Sequence, residues 1–208
     1  MSDTPLTWPV LSRRPSEWSW KLVPNTQTFT SPLNGSTQTL ELPGSRWWCK
    51  IGYERLREDD WRIFSAFLAR MRGMAGRVLL APIHGETQRG AASGTPTVSG
   101  GGQTGRSLLT TGWTPGAAQI LRLGDYFSVP TASGPELKII TEDISSNGSG
   151  QATLKFEPPL RSAPAGGAAI TVVNPACPMR LADNQQGDMA LSSMHYGSFT
   201  LELVEAWL

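Results

Sequence analysis

The chain is predicted to be mainly β with one packed α-helix, and three features of its 208 residues carry that reading. Charged residues make up 17%, below the ~25% of ordinary globular chains, while Gly (22) and Pro (16) are frequent. Such a composition suits short strands joined by turns rather than helical bundles. Apolar and polar residues alternate in several short runs, the period of a strand with one wet face. One stretch alone carries the 3.6-residue period of an amphipathic helix.

The elements follow in chain order. Trp18 and Trp20 alternate with polar residues and mark a short strand. Asn34-Gly35 is a turn signal, residues 37–42 alternate, Pro43-Gly44 turns the chain, and 47–53 reads as a strand, so 37–53 is expected to form a hairpin. In the predicted helix, 58–72, Trp61, Phe64, Leu68 and Met71 fall at i, i+3, i+7 and i+10 and form the candidate core stripe. Glu58, Asp59 and Asp60 in its first turn and Arg70 and Arg72 in its last complement the helix dipole, and Gly73 fits a left-handed cap. Residues 78–82 read as a buried strand. The polar, Gly-rich run 85–107 is expected to be a flexible loop.

Strand signals resume at 108–111, 120–123, 126–129, 138–144, 151–156 and 170–173, with Asn147-Gly148 turning between 144 and 151. Strands this short at this spacing predict a small barrel or compact sandwich. The last run sets Phe199, Leu201 and Leu203 against Thr200 and Glu202, and is expected to return to the first domain. Residues 1–85 and 177–208 then make one β domain, and 86–176 an inserted small β module.

Motifs for chemistry are weak. Gly100-Gly-Gly-Gln-Thr-Gly105-Arg106-Ser107 resembles a phosphate-binding loop, but the flanks are wrong and Arg replaces the Lys. His84 and His195 have no partners at metal-ligand spacing, and the serines near His195 form no nucleophile elbow. Asp59 and Asp60 point about 100° apart on a helix and cannot converge on one substrate. Asp125 belongs to a turn before a strand. Cys49 and Cys177 fit no zinc spacing and are expected to be free, buried thiols. No catalytic, cofactor-binding or metal-binding residues are expected. A net charge of +1, with aromatics that do not interleave with basic residues, argues against nucleic-acid binding. No apolar run approaches the ~18 residues of a membrane span. The start carries no apolar leader, so synthesis in the cytoplasm is expected.

Three stretches carry a family resemblance. SPLNGSTQTLELPGSRW followed by YERL, an amphipathic helix and Gly resembles the opening of tail proteins of long-tailed phages. LRLGDYFSV and LKIITEDISSNGSGQATLKFEPPLRSAPAGG resemble their second module, a GD-aromatic strand, a hairpin and then F-x-PPLR. SFTLELVEAWL matches their close. Together they cover most of the chain beyond about residue 30. The resemblance is to distal tail proteins of siphophages. It implies a tail-tube-like β-sandwich with one packed helix and an extra β module. It also implies a virion location at the tail tip and a homo-oligomeric ring, hexameric or trimeric, between the tail tube protein and the baseplate hub. The eight tryptophans and scarce charge fit a surface covered by neighbours, and Trp18, Trp20, Trp47 and Trp48 are the candidate interface residues. The alternative is a host-surface carbohydrate-binding module, for which Trp113 is the one tryptophan in the insertion.

Overall fold

The computed structural model describes residues 4–188, 190–191 and 196–207. The elements are β1 (Leu6–Thr7), β2 (Glu17–Val23), β3 (Thr26–Thr30), β4 (Thr37–Glu41), β5 (Arg46–Leu56), α1 (Glu58–Met71), β6 (Val78–Leu80), β7 (Gly94–Val98), β8 (Gly105–Trp113), β9 (Tyr126–Thr131), β10 (Gly134–Ile140), β11 (Ala152–Leu160), β12 (Cys177–Leu181), β13 (Ala190–Leu191) and β14 (Gly197–Glu205). The fold is mainly β with one packed α-helix, as the composition predicts.

A seven-stranded sheet runs β1-β6-β12-β14-β5-β2, with β13 on β14. It joins both ends of the chain, because β14 lies between β5 and β12. Phe199, Leu201 and Leu203 of β14 and Cys49, Ile51 and Tyr53 of β5 face inward and are buried. α1 covers one end of that face. Phe64 is sealed, with its ring stacked 3.7 Å from that of Phe199. Of the predicted stripe, Phe64 and Met71 are fully buried, whereas Trp61 and Leu68 only lean on the core. Phe67, outside the stripe, is buried and packs on Trp8 at 5.4 Å. The left-handed turn that ends α1 is made by Arg72 (φ 50) together with the expected Gly73 (φ 65).

Asp60 does more than complement the helix dipole. Buried at the first turn, it accepts the Ser12 amide at 2.9 Å and the Ser12 hydroxyl, and so ties the N-terminal segment to α1. With Leu6, Trp8 and Leu11 packed on the core, this segment is part of the domain rather than a free arm.

A five-stranded sheet, β7-β8-β11-β10-β9, surrounds the second core. The segment 169–171 bridges to both of its edges, Ala169 to Thr97 and Thr171 to Ser128, and closes the sheet into a small barrel. The expected strands 120–123 and 170–173 are thus single bridges, Leu121 to Ile144 and those of 169–171. The run 85–107 is corrected from flexible loop to ordered chain. Buried Asp125 accepts the amides of Arg89, Gly90 and Arg122 at 3.0, 3.1 and 2.8 Å, and 94–98 forms β7. The glycine motif is the β7–β8 turn. Gln103 plugs it, donating to Ser99 O at 2.8 Å and accepting from Leu109 N at 2.6 Å. Strands flank the motif on both sides, and the helix a phosphate loop needs does not follow.

The expected 37–53 hairpin is also corrected. β5 pairs with β2, and β4 pairs with β3. Residues 17–56 form one long antiparallel ribbon, offset where 24–25 face 42–45. The strand β3 escapes notice in the sequence because Thr-Gln-Thr-Phe-Thr holds a single apolar residue.

Candidate assembly surfaces and the module junction

The outer half of that ribbon is an arm. All ten residues of β3 and β4 are exposed. At ~3.4 Å per residue the strands alone extend about 17 Å. Its tip is the Asn34-Gly35 turn, with Gly35 at φ 71 and Leu33 95% exposed. Cross-strand register puts Gln27 opposite Leu40 and Phe29 opposite Gln38 on one face, and Thr26, Thr28, Thr30, Thr37, Thr39 and Glu41 on the other. The arm is therefore one-sided: Phe29 (66% exposed) and Leu40 (60%) share a face that none of the described residues covers. Its base is held by Asn25 Nδ2 donating to Pro43 O at 2.6 Å, and by Arg106, which pairs with Glu41 and with Glu157 of the barrel.

At the opposite end of the inner face from α1, the sheet meets the barrel. An aromatic series Trp18, Trp20, Trp47 and Tyr126 runs across, with successive ring centroids 6.3, 5.8 and 5.7 Å apart. Trp47 Nε1 donates to Leu137 O at 2.9 Å. Beside it sits a charge quartet, with Glu136, Lys138 and Glu205 buried and Arg161 partly buried. Lys138 Nζ donates to Glu136 Oε2 at 2.7 Å and to Pro159 O at 2.9 Å. Glu136 also accepts the amides of Arg161 and Ser162 at 3.1 and 3.2 Å. Arg161 Nη2 pairs with Glu205, whose other oxygen accepts the Trp47 amide at 3.1 Å. Two carboxylates meet two cations, so the junction is neutral, and it links β5 and β14 to β10 and β11.

Burial pushes the Glu136 carboxyl up, but Lys138 and the Arg161 amide pull it further the other way, to a net value below its ordinary one. Burial pulls the Lys138 ammonium down and Glu136 lifts it, for a net value below its ordinary one. For Glu136 the sign is that of a depressed carboxyl. Its stabilisation is full above the ordinary carboxylate value and is lost as pH falls through the folded one. We expect melting temperature to fall below about pH 5, and Glu136→Gln to flatten that slope. Equal slopes for the two proteins would place the acid sensitivity elsewhere.

The candidate interface tryptophans are placed as follows. Trp47, 2% exposed, is a core residue and is corrected from the interface set, because β5 points it at the barrel rather than outward. Trp18 and Trp20 are half-buried on the same inner face. Trp48 alone lies on the outer face, with Lys21 Nζ 4.3 Å over its ring. Trp113 is buried and donates to Thr110 Oγ1 at 2.7 Å, so it offers no open ring to a sugar. His84 is exposed at a left-handed turn (φ 63), and His195 lies outside the described residues. Cys49 and Cys177 are free and buried, and burial pushes both thiols well up. Among the described residues no three His, Cys, Asp or Glu side chains converge as a metal site, and no helix is long and apolar enough to cross a membrane.

A groove of about 470 Å³ lies between Pro43, Gly44 and Ser45 at the base of the arm and Pro158, Pro159, Leu160, Arg161 and Trp207. Trp207 is flanked there by the guanidiniums of Arg46 at 4.8 Å and Arg161 at 4.5 Å. Comparison with protein-family models and with curated proteins finds no match to this chain.

Proposed function

We propose that the chain is a structural ring component of a siphophage tail tip, joining the tail tube to the hub and acting through assembly rather than turnover. The observation that carries this reading is the arm. A two-stranded hairpin is marginal in water without a covered face, and this one presents Phe29 and Leu40 outward on an ordered base. A repeated, head-to-tail contact closes into a ring when its rotation closes. The phage-tail resemblance supplies the location, and the junction ties sheet and barrel together within the protomer.

The test is assembly. At rising concentration, the native mass should reach six or three copies, and tail particles should show the chain as a ring. The double substitution Phe29→Ser with Leu40→Ser should hold the protein at one copy while leaving its melting temperature within about 2 °C of wild type at concentrations where wild type is also a single copy, since exposed positions contribute little to stability. A wild type found in single copy in particles would remove the ring reading.

A further inference from the structure

The outer face of the seven-stranded sheet, away from α1, carries a charge pattern that neither the core nor the ring reading uses. Register aligns Lys21 with Trp48, Trp48 with Val204, and Val204 with Arg180. Arg77, just ahead of β6, continues the line beside Arg180, because Val78 faces Met179. Arg46 lies two residues before Trp48, on the same face. Among the described residues no carboxylate pairs with any of these four cations. Arg77 gives Nη1 to the carbonyls of Met74, Ala75 and Gly76, and Arg180 gives its Nη1 to Leu181 O. Those contacts leave the charges uncancelled. Burial and then the positive charges of Arg77 and Arg46 lower the pKa of Arg180. The carboxylates of this face, Glu17 and Glu202, sit further along the strands around Lys50. In a chain of net charge +1, the cations are thus gathered at one end of one face.

We propose that this face docks an acidic segment of a protein partner. Its carboxylates would sit on Arg46, Arg77, Arg180 and Lys21, and its apolar side chains on Trp48, Val204 and Leu79. Charge complementarity sets the sign of the partner. The surroundings set its class. The three arginines are half-buried rather than extended into solvent, Arg46 with its guanidinium 4.8 Å over the Trp207 ring, and Arg with aromatic residues is the composition of protein interfaces. Lys21 already covers one face of Trp48, which removes it as a platform for stacked bases. Removing like-charge repulsion among the guanidiniums adds to the binding. The proposal is independent of the ring reading, because arm and face are separate surfaces.

The probe is a fluorescein-labelled peptide of about twelve alternating Glu and Leu residues. Its Gln/Leu counterpart and a single-stranded DNA of about 25 nucleotides are the comparisons. The acidic peptide should bind the full chain at low salt and weaken by about tenfold as salt rises past physiological strength. Arg46→Glu with Arg180→Glu should abolish binding. Arg46→Gln with Arg180→Gln, which keeps the side-chain bulk, should weaken it while circular dichroism and melting stay as in wild type. The Phe29→Ser, Leu40→Ser protein should bind like wild type even if it no longer assembles. The proposal is overturned if the wild type ignores the acidic peptide, if the Gln/Leu peptide or the DNA binds as tightly, or if the Arg→Glu pair binds unchanged.

Discussion

Replacing Glu205 with leucine should destabilise the protein by roughly 3–5 kcal/mol, the cost of breaking a buried ion pair from one side. Glu205 is 1% exposed and holds two groups at once, the Arg161 guanidinium and the Trp47 amide. Its loss leaves a cation and a donor buried without an acceptor. Arg161 already has Nε and Nη1 buried without partners, so it has no spare acceptor to turn to. The double replacement Glu205→Leu with Arg161→Leu should recover part of the loss, because the uncompensated charge goes with it. Urea unfolding of the three proteins measures this. If the double variant is less stable than the single by the full cost of a second deletion, the two side chains do not act as a pair.

Replacing Phe64 with alanine should cost roughly 3–5 kcal/mol. The ring is fully buried, stacked on Phe199 and bordered by Trp8 and Phe67 at centroid distances of 6.0 and 5.7 Å. The hole would open between α1, the N-terminal segment and β14, three parts of the chain that cannot collapse together without moving the sheet. Trp61→Ala, on the half-buried side of the same helix, should cost distinctly less. Denaturant midpoints with unchanged m-values would confirm that both substitutions act on the native state. A loss under about 1 kcal/mol for Phe64→Ala would mean that the ring is not sealed.

Some of this was readable directly. The alternation of 197–205 located β14, and its side chains face as their period requires. The helix was legible from its stripe and end charges, though the stripe was displaced by about one position. Trp61 and Leu68 yielded to Phe67 because the N-terminal segment, through Trp8, packs on a second side of α1. The strands β3 and β7 carry no apolar period, since one stands in solvent and the other closes a barrel edge, so no hydrophobic pattern marks them.

The candidate surfaces were less legible. Tryptophan abundance pointed to an interface without saying which rings were free. Trp47 and Trp48 are adjacent in sequence, yet a strand sends them to opposite faces, one into the core and one beneath Lys21. The basic row was invisible for the same kind of reason. Lys21, Arg46, Arg77 and Arg180 come from four separate stretches and meet only through sheet register.

The sequence by itself determined the fold class, the single helix, the buried free thiols and the inward side of β14, because those depend on composition and on the local period of one segment. Only the tertiary structure decided which strands pair, that 26–41 stands out as an arm, and that Glu136, Lys138, Arg161 and Glu205 neutralise one another. Pairing and charge cancellation depend on segments far apart in the chain arriving side by side. Glu205 and Trp47 lie 158 residues apart and share a 3.1 Å hydrogen bond, and no local period records such a distance.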